Sequence, residues 1–195
     1  MNKTKAFQLL RDKLPPLNAD FAASFEAKCE LIVLERNQPL VKFQSNSRKM
    51  YFLVSGSLIR NIITSKGKEK TVLFHTESFL DILKCHDTVH LHTTTAYEIV
   101  ANERSVVLAI DYDFLLHNSL NDLDLARFYL KKTEEALLML NLFRNFHLGL
   151  TSEEYLKWLY ENHSFLFLRF PAQNIASFMG ITNVWLSKLK ARAIY

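Results

Sequence analysis

The sequence predicts an α+β protein: an antiparallel β domain, then one long helix, then a small helical head. Three observations carry that prediction. Eight short runs rich in Val, Ile, Thr and Phe lie between residues 31 and 110, separated by turn signals. A helical pattern free of Gly and Pro follows over about 112–146. Two short apolar helix patterns then meet at Gly180 near the end of the chain.

Taken in order, residues 1 to 28 read as two helical pieces split by Pro15 and Pro16. Phe7, Leu10 and Leu14 share a face of the first piece; Phe21 and Phe25 share a face of the second, which Asn18 caps. The strand runs are 31–34, 40–43, 50–54, 58–63, 71–74, 88–93, 97–101 and 105–110. No helix-length segment intervenes to carry a parallel crossover, so an antiparallel sandwich or jelly roll is expected. Asn37 and Gly67 fall where the turns need a positive φ.

In the helix expected over about 112–146, Leu123, Ala126, Leu130, Thr133, Leu137 and Leu140 recur at steps of three and four, the seam of a helix pair. Residues 136–143 are apolar on nearly every face and need cover from more than one side. The β domain supplies one side and the same helix of a second copy the other, so a homodimer is expected. Complete burial within its own domain is the alternative. Residues 146–150 break the helix and divide a domain of residues 1–146 from one of 147–195. Thr151 and Glu154 then form a capping box, and Tyr155, Leu156, Leu159 and Tyr160 supply a buried stripe. After an apolar connector, Pro171 opens the next helix at its first turn.

That helix buries Ile175, Ala176 and Met179, and Gly180 stops it by entering the left-handed region at no steric cost. Thr182 caps a second helix whose inward face is Trp185, Leu186 and Leu189. Ala176 is the small residue such a close crossing demands. This is a helix-turn-helix, in which the second helix enters the DNA major groove. Charge separates it from an ordinary helical hairpin: no Asp or Glu follows Glu161, whereas Arg169, Lys188, Lys190 and Arg192 do.

Bulk properties bound the rest. With 195 residues, 49% of them hydrophobic and 15 of them Phe, a sizeable core is available, whereas a net charge of +4 implies no nucleic acid by itself. Cys29 and Cys85 stand far apart, which suits a reducing compartment and argues against a zinc or iron–sulfur site built from this chain alone. The first residues lack the apolar run of a signal peptide, and no stretch approaches membrane-spanning length. A cytoplasmic protein with no membrane partner is expected.

This order of parts resembles the Crp/Fnr family of transcription regulators. The string from Tyr51 to Ser57 is similar to the family's strand-turn, and Gly67-Lys-Glu69 to its later hairpin. Tyr155-Leu-Lys-Trp-Leu and the spaced set Pro171, Ile175, Ala176, Gly180, Ile181, Thr182, Leu186, Ser187 and Lys188 resemble its short-headed branch. The resemblance spans almost the whole chain. It implies a cyclic-nucleotide-binding-like β-roll (a double-stranded β-helix), a dimerisation helix and a winged-helix-like head. The implied partners are double-stranded DNA, a second copy, RNA polymerase and an effector of unknown identity.

Two departures follow from the resemblance. Members that bind cyclic nucleotides hold the ribose with a Gly-Glu pair and the phosphate with an Arg followed by Ser or Thr, as carboxylate and guanidinium chemistry requires. Here Asp81-Ile82 and Thr95-Ala96 stand at those places, and no Arg lies between Arg60 and Arg104. Lys84 is a nearby cation. Cyclic AMP is therefore not expected to bind in the usual way, and no cofactor is expected. On the recognition helix, Val184 replaces a Glu that accepts from cytosine, and Lys188 an Arg that reads guanine. Val184 suits a thymine methyl and Asn183 an adenine, so the site leans toward A·T. Thr182 belongs to the DNA-facing set, which Ser187, Lys190 and Arg192 complete as phosphate contacts, with a solvated terminus as the alternative for the last two.

A rival reading is a cupin-like β-roll that binds a small molecule or metal, its C-terminal helices serving assembly. His90 and His92 on one strand would share a face, with His75, His86 and Glu98 nearby. The spacing to Glu98 is longer than the cupin pattern. Phosphate loops, nucleophile elbows and Cys–His pairs are missing from the sequence, and Glu134-Glu135 and Glu153-Glu154 read as solvated faces and a cap, so no enzyme is expected.

Overall fold

The computed structural model describes residues 1–193. Two N-terminal helices, α1 (Lys3–Arg11) and α2 (Ala19–Lys28), lead into two four-stranded antiparallel sheets. One sheet has the order β1 (Glu30–Leu34), β8 (Ser105–Asp111), β3 (Lys49–Ser55), β6 (Ile82–Lys84). The other has the order β2 (Pro39–Val41), β7 (Tyr97–Ala101), β4 (Ser57–Ile63), β5 (Glu69–Thr76). The chain changes sheet between β3 and β4 at Gly56, whose φ is +98°. A Cβ there would run into Ser105 and the Arg104 carbonyl, so only glycine makes this corner. Asn37 and Gly67 take positive φ, as their turns require.

The β3 run Met50–Val54 is continuously apolar because it is covered on both faces. Met50, Phe52 and Val54 pack under α1 and α2, while Tyr51 and Leu53 enter the space between the sheets with Leu58, Ile99 and Val107. The outer face of the second sheet is covered in turn. Ile59, Leu73 and Phe74 share a core with Phe143 and the C-terminal helices. The order of layers is thus cap, sheet, sheet, head. An antiparallel sheet with one wet face would instead alternate apolar and polar residues.

Two expected elements differ. Residues 88–93 were expected as a strand, yet helix α3 (His86–His90) occupies the start of that run, and β6 is the eighth strand instead. Asp87 explains the change: its carbonyl accepts from Leu91 and Thr93, and its carboxylate from the Ala96 N–H at 3.1 Å. Local bonds of this kind compete with a ladder. The single helix over 112–146 is two, α4 (Tyr112–Leu120) and α5 (Leu123–Gly149). Asn121 closes α4 with its amide on the His117 carbonyl at 2.9 Å, and Asp122 caps α5 by accepting from the Leu125 N–H at 2.9 Å. Neither break needs Gly or Pro; two short polar side chains that prefer caps suffice. At the other end α5 continues to Gly149, three residues past the expected stop.

The head consists, among the described residues, of helices α6 (Ser152–His163), α7 (Phe165–Arg169), α8 (Ala172–Phe178) and α9 (Asn183–Ala193). The capping box at its start is complete: the Glu154 N–H donates to Thr151 Oγ1 at 3.3 Å, and the Thr151 N–H to Glu154 Oε2 at 2.8 Å.

Candidate nucleic-acid interface

The turn between α8 and α9 is built from backbone chemistry outward. Gly180 has φ +70°, the Gly180 N–H donates to Ser177 O at 3.1 Å and the Ile181 N–H to Ala176 O at 3.0 Å. These paired bonds satisfy the last carbonyls of α8 and set the angle at which the chain leaves it. Thr182 Oγ1 then accepts the Trp185 N–H at 3.1 Å, capping α9. Ala176 is buried at the crossing, as its size requires. His147 of α5 closes the turn from behind, with its Cε1 3.0 Å from where a Cβ on Gly180 would stand.

Leu186 and Leu189 anchor α9 to the head core, so the opposite face of the helix is set by the 3.6-residue period. That face carries Asn183, Val184, Ser187 and Lys188, all exposed, and Val184 is 68% exposed despite being apolar. Trp185 was expected inside and is 37% exposed; Arg192 lies over its ring at 5.4 Å. Lys190 is half-buried with its Nζ 5.0 Å from the Phe167 ring, which stacks on Tyr160 at 3.8 Å. Both cations are therefore held against aromatic faces, a more ordered setting than a solvated terminus.

Basic groups that the sequence reading left aside gather beside this turn. Lys66, Lys68 and Lys70, on the hairpin joining β4 to β5, line a groove of about 430 Å³ with Ser177, Gly180 and Ile181. Lys70 also lines a neighbouring hollow with Arg144 and His147. Partial burial, and then the Lys70 charge, lower the His147 pKa. The signal was present as three lysines in five residues, but only the fold brings that hairpin to the turn.

The head is fastened to the second sheet by specific bonds. The Thr71 N–H donates to Ser177 Oγ at 3.0 Å, and Asn174 Nδ2 to Thr71 Oγ1 at 3.1 Å. Asn102 Nδ2 donates to the Arg169 carbonyl at 2.9 Å. Arg169 Nη1 donates to both Glu77 oxygens at 2.8 and 2.9 Å, and Nη2 to Glu103. Burial alone would raise the Glu103 carboxyl, but bonds from Ser57 and Arg169 hold it below its usual range.

Most seam residues of α5 are exposed, although Thr133, Leu137 and Leu140 also line a hollow with Met50, Ile82 and Lys84 of the roll. Leu123 is 65% exposed, Leu130 and Leu137 are 58% exposed, Thr133 and Leu140 are also exposed, and Ala126 is half-buried. An adjoining stripe of the same helix buries Leu125 and Phe143.

The four positions that the sequence reading aligned with the nucleotide pocket have partners or settings of their own. Asp81 pairs with Lys13 at 3.1 Å and Lys132 at 3.9 Å. Ile82 belongs to β6 and packs with the N-terminal cap. Thr95 is buried, its hydroxyl donating to Lys42 O at 3.0 Å and accepting from the Ser45 N–H at 3.1 Å. Ala96 is exposed, and Lys84 donates to the Tyr129 hydroxyl at 2.6 Å. Arg60 lies over the Tyr97 ring at 4.5 Å, with its buried Nε unpartnered.

The histidine constellation does not form. His90 ends α3, and His92 follows it with φ +54°, so the two share no strand. His75 is buried on β5, Nδ1 against the Leu80 carbonyl at 2.8 Å, and burial together with the Arg60 charge pushes its pKa down to about 3. His86 sits one turn before His90, ring centroids 5.9 Å apart. Among the described residues no group of three His, Cys, Asp or Glu side chains converges as metal ligands, and no helix is long and apolar enough to cross a membrane.

The chain thus consists of a two-sheet roll, a long helix with exposed apolar side chains and a capped helix-turn-helix. Solved structures share this fold. FixK2 from Bradyrhizobium japonicum superposes with a TM-score of 0.70 at 15% identity, over 84% of this chain and 83% of its own. A CooA mutant from Carboxydothermus hydrogenoformans gives 0.71 at 16%, over 87% and 78%. A Eubacterium rectale regulator assigned to the Crp/Fnr family gives 0.68 at 12%, over 95% and 85%. No family model matches the sequence, and no curated protein matches it. At these identities the likeness is one of fold.

Proposed function

We propose that the chain is a DNA-binding transcription regulator that works as a homodimer through α5. The observation that carries this reading is the outward face of α9. Asn183, Val184, Ser187 and Lys188 are presented to solvent by a helix whose entry is set by Gly180 and Thr182 and whose other side is anchored in the core. A face of that composition offers an adenine partner, a thymine-methyl contact and a phosphate cation. The exposed seam leucines of α5 support the dimer, since a twofold axis along that helix would cover them and pair two heads on two half-sites.

In this reading residues 1–146 form a sensor or structural domain and residues 147–195 the DNA head, acting without a metal or cofactor in the cytoplasm, with RNA polymerase as the further partner. The engaged states of Asp81 and Thr95 support the expectation that cyclic AMP is not held in the usual way. Micromolar binding of cyclic AMP in calorimetry would overturn that part alone. An effector shifts DNA affinity only through a difference in its affinity for two arrangements of the head and helix pair. The main test is selection of bound duplexes from a random pool. The expected result is a pseudo-palindrome with half-sites about one helical turn apart. Failure of every duplex to bind at low salt would end the regulator reading.

A further inference from the structure

Resting on that reading, the roll itself supplies part of the DNA surface. We propose that the β4–β5 hairpin is a second phosphate-binding arm, with Lys66, Lys68 and Lys70 gripping the strand that passes the helix-turn-helix turn. The argument begins with rigidity. The hairpin is tied to the head where β5 meets α8, by the Thr71 N–H on Ser177 Oγ and the Asn174 amide on Thr71 Oγ1. Its tip is closed by the Gly67 N–H on Thr64 O at 2.9 Å and the Thr64 N–H on Lys68 O at 2.8 Å. Hairpin and recognition helix are therefore presented as one body.

Charge comes next. None of the three lysines has a carboxylate within ion-pair distance among the described residues. The one acid among them, Glu69, is engaged by the Asn61 amide. Three like charges within five residues repel one another, and an anion between them removes that cost. Shape then names the anion. The groove they line runs along Gly180 and Ile181, directly before the Thr182 cap of α9. A strand whose major groove receives the start of α9 carries its phosphates past that turn. Lysine acts there as a point charge and contributes affinity without sequence preference.

The test is a salt titration of duplex binding by fluorescence anisotropy, using the selected site and the full chain. Because each protomer of the dimer carries the hairpin, Lys66→Gln with Lys68→Gln removes four phosphate contacts and is expected to lower the slope of log affinity against log salt by about 3.6, at roughly 0.9 per contact. Between 50 and 200 mM salt the variant then loses on the order of a hundredfold less affinity than the parent. The selected sequence stays the same, and Lys66→Arg with Lys68→Arg keeps the parent slope. Lys5→Gln with Arg36→Gln, on exposed positions outside the groove, leaves the slope unchanged. An unaltered slope in the glutamine variant, with the parent binding normally, overturns the arm and leaves the regulator reading standing. A changed sequence preference also overturns it, because phosphate contacts carry none. A parent that binds no duplex removes the regulator reading and the arm together.

Discussion

The two outer faces of the sandwich are covered in different ways. On the first sheet the N-terminal cap is held mainly by apolar contact, with Phe7 edge-on to Phe25 at 5.3 Å and Phe25 against Phe52 at 5.9 Å, beside the ion pair of Lys13 with Asp81 at 3.1 Å. On the second sheet the head also uses aromatics, Phe74 meeting Phe170 at 4.5 Å and Phe178 at 5.2 Å. It adds the Arg169, Asn102, Thr71 and Ser177 bonds across the contact. Burial of apolar area is non-directional and holds a layer in place wherever shapes fit. Hydrogen bonds specify one seating and can be exchanged for water or another partner at small net cost. The cap is thus held chiefly by shape, and the head by shape together with directional bonds that fix one seat.

The largest effect is expected where this contrast is sharpest. Phe25→Ala should destabilise the whole fold by about 3–5 kcal/mol, read as a fall in the urea midpoint. A loss confined to the cap, with the rest of the roll intact, would refute its role in the common core. Arg169→Met should cost less, about 1–3 kcal/mol, because its partners are part-exposed and it leaves two carboxylates unpaired. Its effect should appear in hydrogen exchange at α7 and α8 before the cap responds. Equal exchange on both faces would erase the distinction drawn here.

Acid should act on the second sheet and the head. Glu103 is held below the ordinary carboxylate range, so its contribution is present above the unfolded pKa and disappears as pH falls through the lower folded value. His75 acts over a higher window: its pKa is lowered from 6.5 to about 3, so the unfolded chain binds a proton first. Burial lowers His163 in the head as well, so stability should decline from near pH 6.5 downward, with a further loss from Glu103 once pH falls below about 4.5. Removing His75 by His75→Phe should flatten the upper part of the decline. The smallest effect is expected from Ser177→Ala, about 1 kcal/mol, since it unpairs only the Thr71 N–H. Exchange of that single amide should rise while the urea midpoint moves little.

Much of this was legible in the residues because local rules and the fold agreed. The Thr151 cap, the Gly180 stop, the Thr182 cap and the small Ala176 each have a reason within a few residues of chain. The heptad spacing of α5 picks out Leu123, Leu130 and Leu137 as one row, and those side chains are exposed. Where the reading missed, a local bond defeated a pattern. The run at 88–93 yielded to Asp87, and an uninterrupted helical spacing yielded to Asn121 and Asp122. Trp185 was placed on the inward face with Leu186 and Leu189, yet α9 needs only those two leucines to anchor it. His90 and His92 were paired by an alternation that exists only in a strand.

The sequence by itself determined the elements, their caps and the order of sheet domain, helix and head, since these depend on residues near one another in the chain. Tertiary structure alone decided that the head sits on the second sheet, that Arg169 meets Glu77 and Glu103, and that the lysines of the β4–β5 hairpin lie beside Gly180. Those contacts join residues about 65 to 115 positions apart. No local spacing encodes them; they follow from which apolar faces remain to be covered once the two sheets have closed on each other.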